Sequence, residues 1–206
     1  MNLTQKDIER SLRGAGASAN TAAATRLLLD RAETEGLLDV AYARLDSPFG
    51  ELLVAETGKG VVRISFGEES PDEVVEELAW TVSPRVLEAP ARLDPVRREL
   101  DQYFEGRLHD FTVPLDWQLI SGFQTKVLRA TAAIPYGETR SYGEVAAEAG
   151  NRRAFRAAGT ALGRNPLPLI VPCHRVLRAG GVIGNYGGGP EMKEALLKLE
   201  GALPDA

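Results

Sequence analysis

The stretch from Val40 to Phe66 constrains this chain more than any other. AYARL, ELLVAE and VVRISF carry the alternating, β-branched pattern of strands, and they are separated only by the turn-forming segments SPFG and TGKG. Strands joined by so few residues can only reverse and pair antiparallel, because a parallel partner needs a much longer crossover. A three-stranded meander is predicted. Helix signals follow it: Ser70 and Pro71 precede DEVVEELAW, Asp94 and Pro95 precede VRRELDQYF, and Gly106 supplies a stop. DFTVPLD reads as a further strand and linker.

Beyond PLDW, near residue 117, the grammar becomes helical. Ser121 opens a helix that runs towards Ile134 and is stopped by Pro135. Ser141 and Glu144 in SYGE have the form of a capping box, starting the short helix YGEVAAEA. Gly150 ends that helix and Asn151 can cap the next, RRAFRAAGTALG, so that two short helices meet at a tight turn in helix-turn-helix fashion. Residues 1–38 read as a helical extension without a chemical motif, with Thr4 as a cap, GAGASAN as a linker and a second helix from Thr21 to Glu35 before Gly36. The expected fold class is α/β, of the α+β kind. A small sheet-and-helix domain over 39–117 precedes a mostly helical domain over 118–206. The 206 residues suit such a division, since domains run to about 100–200 residues each.

Charge separates the same two halves. Residues 1–120 hold 13 Lys/Arg against 22 Asp/Glu, whereas residues 121–206 hold 11 against 7. From Ala149 to Pro190 there is no acidic residue, and Arg152, Arg153, Arg156, Arg164, Arg175 and Arg178 all fall there. A surface facing phosphates is the natural reading, although the whole chain carries a net charge of −5. No apolar run reaches the roughly 18 residues of a membrane span, and MNLTQKDIER has charges where a signal peptide would be apolar. The expectation is a cytoplasmic protein without a membrane partner.

The chemistry concentrates in NPLPLIVPCHRVL, residues 165–177. An apolar, strand-like run delivers Cys173, the only cysteine, with His174 and Arg175 directly after it. A buried lone cysteine is usually a small inert hydrophobe, whereas a nucleophilic one needs a base or a positive charge nearby, since a thiol of pKa about 8.5 is mostly protonated at neutral pH. His174 and Arg175 could supply both. On an extended strand, adjacent side chains point to opposite faces, so His174 would reach Cys173 only through a turn or a bridging water. A carboxylate or a carbonyl must then fix the imidazole, and Glu200 in LLKLEG is a candidate. One cysteine and two histidines exclude a disulfide within the chain and a Cys/His zinc cluster.

These residues carry a resemblance. Pro172-Cys173-His174-Arg175-Val176, with Asn165-Pro166 before it and Gly184-Asn185-Tyr186 after it, resembles the active-site signature of the O6-alkylguanine-DNA alkyltransferases, the methylated-DNA-protein-cysteine methyltransferases. IPYGETRSYGEVA, RAAGTALGRNPLPLIVPCHRV and KEALLKLEG align in order, so the resemblance spans residues 121–201; SPFGELLVAE and ELDQYFEGR resemble the family's N-terminal domain more weakly. It implies a suicide repair protein that binds the minor groove of double-stranded DNA, flips out an O6-alkylguanine and takes the alkyl group onto its own cysteine irreversibly. O4-alkylthymine is a further possible substrate. By position, Cys173 is the acceptor, His174 the base through a water and Glu200 its orienting carboxylate. Tyr142 gives a proton to the departing guanine, and Asn165 braces the turn before the cysteine. Arg156 enters the base stack, and Tyr142, Asn151, Gln124, Ala157 and Gly159 complete the DNA-facing set, the small residues allowing close approach. No cofactor is implied, and a monomer suffices.

The sequence departs from the family in two ways. The N-terminal zinc ligands of some members are missing, so no metal is expected, and Gly187, Gly188 and Gly189 follow Tyr186 where some members have a serine first. GNYGGGP lacks the lysine and spacing of a Walker motif. Two other classes compete: a non-catalytic sensor or regulator that binds alkylated DNA, against which the intact PCHRV speaks, and a cysteine hydrolase, for which no second suitably placed histidine or nucleophile-elbow pattern exists.

Overall fold

The structure, a computed structural model, describes residues 34–67 and 69–204, together with Leu27, Arg31 and Ala32. The chain divides into two units, Met1–Leu38 and Asp39–Ala206. In the first, the described residues before Glu35 are helical, and Leu37 N–H donates to Ala32 O at 2.7 Å around Gly36, whose φ of 66° is the left-handed helix stop the sequence suggests. The expected Thr4 cap and GAGASAN linker lie outside the described residues.

In the second unit the meander forms as expected. Strands β1 (Val40–Leu45), β2 (Leu52–Thr57) and β3 (Gly60–Phe66) pair antiparallel in sequence order, and a short strand β4 (Val86–Glu88), which the sequence did not announce, adds parallel to β1. Burial on β2 is almost continuous rather than alternating, because the sheet is covered on both faces. One cover is helix α1 (Pro71–Thr81), whose Val74 and Leu78 pack with Val40, Leu53, Ala55 and Val62. The turn Pro90–Leu93 packs against β1 and leads into helix α2 (Asp94–Phe104), which buries Val96, Leu100 and Tyr103. Pro stands in the first turn of both helices as predicted, but neither Ser70 nor Asp94 makes the expected side-chain cap; Ser70 caps α1 without a hydrogen bond, and Leu93 occupies the cap of α2.

DFTVPLD is not a full strand. It touches the sheet through one parallel bridge, Val61 to Leu115, with Val61 N–H donating to Pro114 O at 2.9 Å and Asp116 N–H to Val61 O at 2.8 Å. Pro114 has no N–H to extend the ladder. Asp116 is buried and accepts from Thr57 Oγ1 at 2.6 Å, which anchors the linker to the end of β2.

The remainder is helical: α3 (Gly122–Ala132), α4 (Tyr142–Glu148), α5 (Phe155–Gly163) and α6 (Gly189–Leu199). The capping box on α4 is complete, with Ser141 Oγ accepting from Glu144 N–H and Ser141 N–H donating to Glu144 Oε2. Asn151 caps a tight 3-10 turn over Arg152–Ala154 rather than α5 itself, its Oδ1 accepting from Arg153 N–H, so α5 begins three residues later than the sequence suggested. LPLIV, expected as a strand, is a series of buried turns in which Leu169 has a φ of 72°. Two prolines, Pro166 and Pro168, deny it ladder donors. A two-residue pair, β5 (Arg140–Ser141) beside β6 (Val176–Leu177), runs parallel and ties the start of α4 to the segment after the cysteine.

Gly60 is the tightest junction between sheet and linker. A Cβ there would lie 2.2 Å from Pro114 O, and its φ of +131° suits only glycine. Gly60→Ala should destabilise the protein by at least about 3 kcal/mol, strain and overlap combined, read as a lower urea midpoint. An unchanged midpoint would mean that the linker moves freely off the strand.

Candidate active site

Site construction begins with the turns that replace the expected strand. Asn165, buried after α5, accepts from Leu167 N–H through Oδ1 at 3.0 Å and donates through Nδ2 to Val171 O at 2.8 Å and to Cys173 Sγ at 3.2 Å. One side chain therefore closes the loop and touches the sulfur. Cys173–Arg175 form a 3-10 turn, so Cys173, His174 and Arg175 fan out instead of alternating.

His174 and Arg175 both turn towards Glu200. His174 Nε2 lies 2.9 Å from Glu200 Oε1, Arg175 Nε donates to Oε2 at 2.8 Å and Arg175 Nη2 to Oε1 at 2.9 Å, while Arg175 Nη1 reaches Ile134 O at 2.6 Å. Tyr103 OH, from the sheet half, donates to Glu200 Oε1 at 2.6 Å. Glu200 sits just past the end of α6 and is only 5% exposed, so it is no surface helix residue. Burial alone would raise its pKa, but the hydrogen bonds from His174, Arg175 and Tyr103 outweigh it and hold the carboxyl at about 2. Burial lowers the pKa of His174 and Glu200 opposes that, leaving the imidazole below its ordinary value. A neutral imidazole beside a carboxylate donates from Nε2, which leaves Nδ1 as the free acceptor; Nδ1 is buried and makes no hydrogen bond to the protein. Arg175, expected as a positive charge for the thiol, is spent on Glu200 instead.

The cation whose charge favours the ionised sulfur is Lys193, on a helix whose sequence pattern is ordinary. Its side chain is fully buried, and Nζ donates to Val176 O at 2.6 Å. Burial lowers its pKa to about 8 while the charge of Cys173 works the other way. Burial pushes the Cys173 thiol up, and Asn165 and Lys193 pull it back in part. Sequence gave one faint signal for Lys193: it falls on the α6 stripe with Met192, Leu196 and Leu197, all buried.

Cys173 opens onto a cavity of about 430 Å³ whose other walls include Tyr142, Gly159, Arg178, Tyr186 and Gly187. Tyr142 is the first residue of α4, held there by the Ser141 capping box, and its ring faces Gly159 of α5, where a Cβ would stand 3.7 Å away. Burial, then the nearby Cys173, raise the Tyr142 pKa, so its hydroxyl keeps its proton. Gly184 lets Tyr142 OH and the Arg178 guanidinium approach, since a Cβ there would meet them at 3.1 and 3.4 Å.

The expected DNA-facing residues divide. Arg156, Ala157 and Asn151 are exposed, with the Arg156 guanidinium over the ring of Phe155 at 5.4 Å, and Gly159 lines the cavity. Gln124 is half-buried: its Nε2 donates to Arg164 O at 2.9 Å and Ala161 O at 3.3 Å, satisfying the carbonyl end of α5. Among the six arginines of the acid-free stretch, Arg175 is buried and the other five are exposed. Among the described residues no helix is long and apolar enough to cross a membrane, and no cluster of His, Cys, Asp and Glu would hold a metal ion.

Comparison with known proteins converges on one family. Residues 40–117 match the 6-O-methylguanine DNA methyltransferase, ribonuclease-like domain, and residues 122–202 match the 6-O-methylguanine DNA methyltransferase, DNA binding domain. A methylated-DNA–protein-cysteine methyltransferase of Mycobacterium tuberculosis is 40% identical over 161 residues, 78% of this chain and 92% of the relative. The protein of that name from Methanosarcina acetivorans is 40% identical over 166 residues, 78% of this chain and 98% of the relative. The crystal structure of Mycobacterium tuberculosis OGT in complex with DNA superimposes with a TM-score of 0.68 at 39% identity, covering 79% of this chain and 93% of that one.

Acid should disclose the Glu200 cluster. The Glu200 pKa falls on folding from the ordinary 4.5 to about 2, so its stabilisation is complete above pH 4.5 and is lost as the pH falls towards 2. That loss amounts to about 3 kcal/mol. Glu200→Gln, which leaves Arg175 buried without its carboxylate, should cost about 3–5 kcal/mol at pH 7 and flatten this acid limb in urea titrations.

Proposed function

The chain belongs to the methylated-DNA–protein-cysteine methyltransferase family, and we propose that it repairs DNA by moving the alkyl group of O6-alkylguanine irreversibly onto its own Cys173. The observation that carries this reading is the thiol of Cys173 opening onto a cavity shared with the Tyr142 hydroxyl, beside a neutral His174 whose free nitrogen is Nδ1. The partner is double-stranded DNA, and no cofactor enters the reaction.

The geometry supports a role for each of these residues. His174 takes the thiol proton through a water at Nδ1, while Glu200 holds the opposite nitrogen and keeps the tautomer fixed. The thiolate attacks the alkyl carbon in line; the sulfur–carbon bond forms as the carbon–O6 bond breaks. Tyr142 gives its proton to the departing guanine, and the proton on His174 balances that loss. Lys193 supplies positive charge near the sulfur as it ionises. Asn165 holds the loop so that the sulfur faces the cavity. No water can reverse the thioether at a useful rate, so each molecule acts once.

DNA binding is assigned to α4 and α5. Exposed Arg156, with Ala157 and Gly159 beside it, is suited to enter the minor groove and fill the gap left by the flipped base, which offsets part of an extrusion cost of a few kcal/mol. Exposed Arg152, Arg153 and Arg164 suit the phosphates. Within Asp39–Ala206 we take 39–117 as the α+β supporting domain and 118–206 as the part that carries the chemistry, and the protein works as a monomer in the cytoplasm. Residues 1–38 have no part in this scheme.

Intact-protein mass spectrometry with a duplex containing one O6-methylguanine should show a single methyl group per molecule, on the peptide bearing Cys173. Cys173→Ser should transfer nothing and still bind the duplex; repeated turnover by the wild type would sink the suicide mechanism. Arg156→Ala should slow transfer from duplex DNA by roughly tenfold or more and from a single-stranded lesion much less, because only the duplex requires extrusion. Equal slowing on both would remove Arg156 from base flipping.

A further inference from the structure

The wall of the cavity opposite α5 rests on a residue from the sheet. Phe66 ends β3 and is 7% exposed, and its ring lies 5.5 Å from the ring of Tyr186 at an interplanar angle of 52°. Added Cβ atoms at Gly187 and Gly188 would meet the same ring at 3.7 and 3.5 Å. The glycine-rich segment is therefore in contact with Phe66, with the Met192 side chain also against Gly188. Tyr186 and Gly187 in turn face the cavity, and the Tyr186 hydroxyl is buried and makes no hydrogen bond to the protein. The Tyr186 ring is held by packing, between Phe66 on one side and the edge-on ring of His174 at 6.2 Å, while Gly189 N–H donates to Tyr186 O at 3.1 Å and closes the turn that follows.

We infer that Phe66 is a specificity-determining positioning residue: by backing Tyr186 and Gly187 from the N-terminal sheet, it sets how large an alkyl group the cavity beside Cys173 accepts. This deepens the repair reading and rests on it. A smaller side chain at 66 leaves room behind Tyr186 and lets the wall retreat, which favours bulky groups and does nothing for a methyl group. In an apolar pocket such a steric contact is worth about tenfold or more in rate.

The test compares single-turnover transfer from two duplexes, one with O6-methylguanine and one with O6-benzylguanine, for the wild type, Phe66→Leu and Phe66→Ala. The benzyl-to-methyl rate ratio should rise in that order, reaching about tenfold for Phe66→Ala. Phe66→Leu keeps the test decisive if Phe66→Ala does not fold. A folded Phe66→Leu whose rates fall together at a constant ratio would make Phe66 a structural residue only and overturn the inference. No transfer from either duplex by the wild type would overturn the repair reading, and this inference with it.

Discussion

The carboxylate of Glu200 is the point on which the structure turns. It is a buried charge, and a buried charge is tolerated only when its hydrogen-bonding capacity is filled. His174, both Arg175 contacts and Tyr103 fill it, and they come from two distant parts of the chain: Tyr103 lies 97 residues from Glu200 in sequence. Sliding the sheet half against the helical half would strip the carboxylate of its hydrogen bond from Tyr103 and leave part of its accepting capacity unfilled in the interior. The same contacts fix the ring of His174, so the constraint that holds the fold also decides which imidazole nitrogen faces away from the carboxylate. Stability and chemistry share one anchor.

The resting sulfur is not a standing thiolate. Burial raises the Cys173 pKa, and the hydrogen bond from Asn165 and the charge of Lys193 recover only part of that. A neutral thiol is a poor nucleophile, so in the proposed mechanism proton removal belongs to the reaction itself. That suits a neutral His174 better than an imidazolium, because only the neutral ring has a lone pair to offer. It also explains why Arg175 is kept away from the sulfur. An arginine there would stabilise a permanent thiolate, whereas one on Glu200 keeps that carboxylate ionised and accepting from His174 Nε2, as the proposed mechanism requires.

How far the sequence discloses this depends on the range of the interaction. Local signals were fully legible: the meander, the Ser141–Glu144 capping box, the proline starts of α1 and α2, and the order Cys173-His174-Arg175. The pairing of His174 with Glu200 was legible only as one candidate among carboxylates and carbonyls, which the family resemblance singled out and the 2.9 Å contact bears out. The strand expected over LPLIV failed because alternating prolines leave too few donors for a ladder, and buried turns closed by Asn165 replace it. Tyr103 and Lys193 went unread for another reason. Each sits on a helix with an unremarkable pattern, and only the tertiary approach of α2 to Glu200, or of α6 to Val176, reveals what its polar atom touches. For Gln124 likewise, the structure alone shows that its Nε2 donates to the end of α5.

The first half of the second unit puts no side chain among the reacting groups, yet it is more than a cover. Tyr103 completes the carboxylate cluster, Ile64 N–H donates to Pro166 O at 2.8 Å beside the Asn165 turn, and Phe66 lies under the glycine-rich wall. These contacts reach the Glu200 carboxylate, the loop that carries the cysteine and the glycine-rich wall of the cavity. A helical half alone would have to hold a strained loop, with Leu169 in the left-handed region, and a glycine-rich wall by their own local contacts. The sheet supplies the rigidity that these turns cannot generate, and this gives a physical reason for the α+β domain to accompany the part that performs the chemistry.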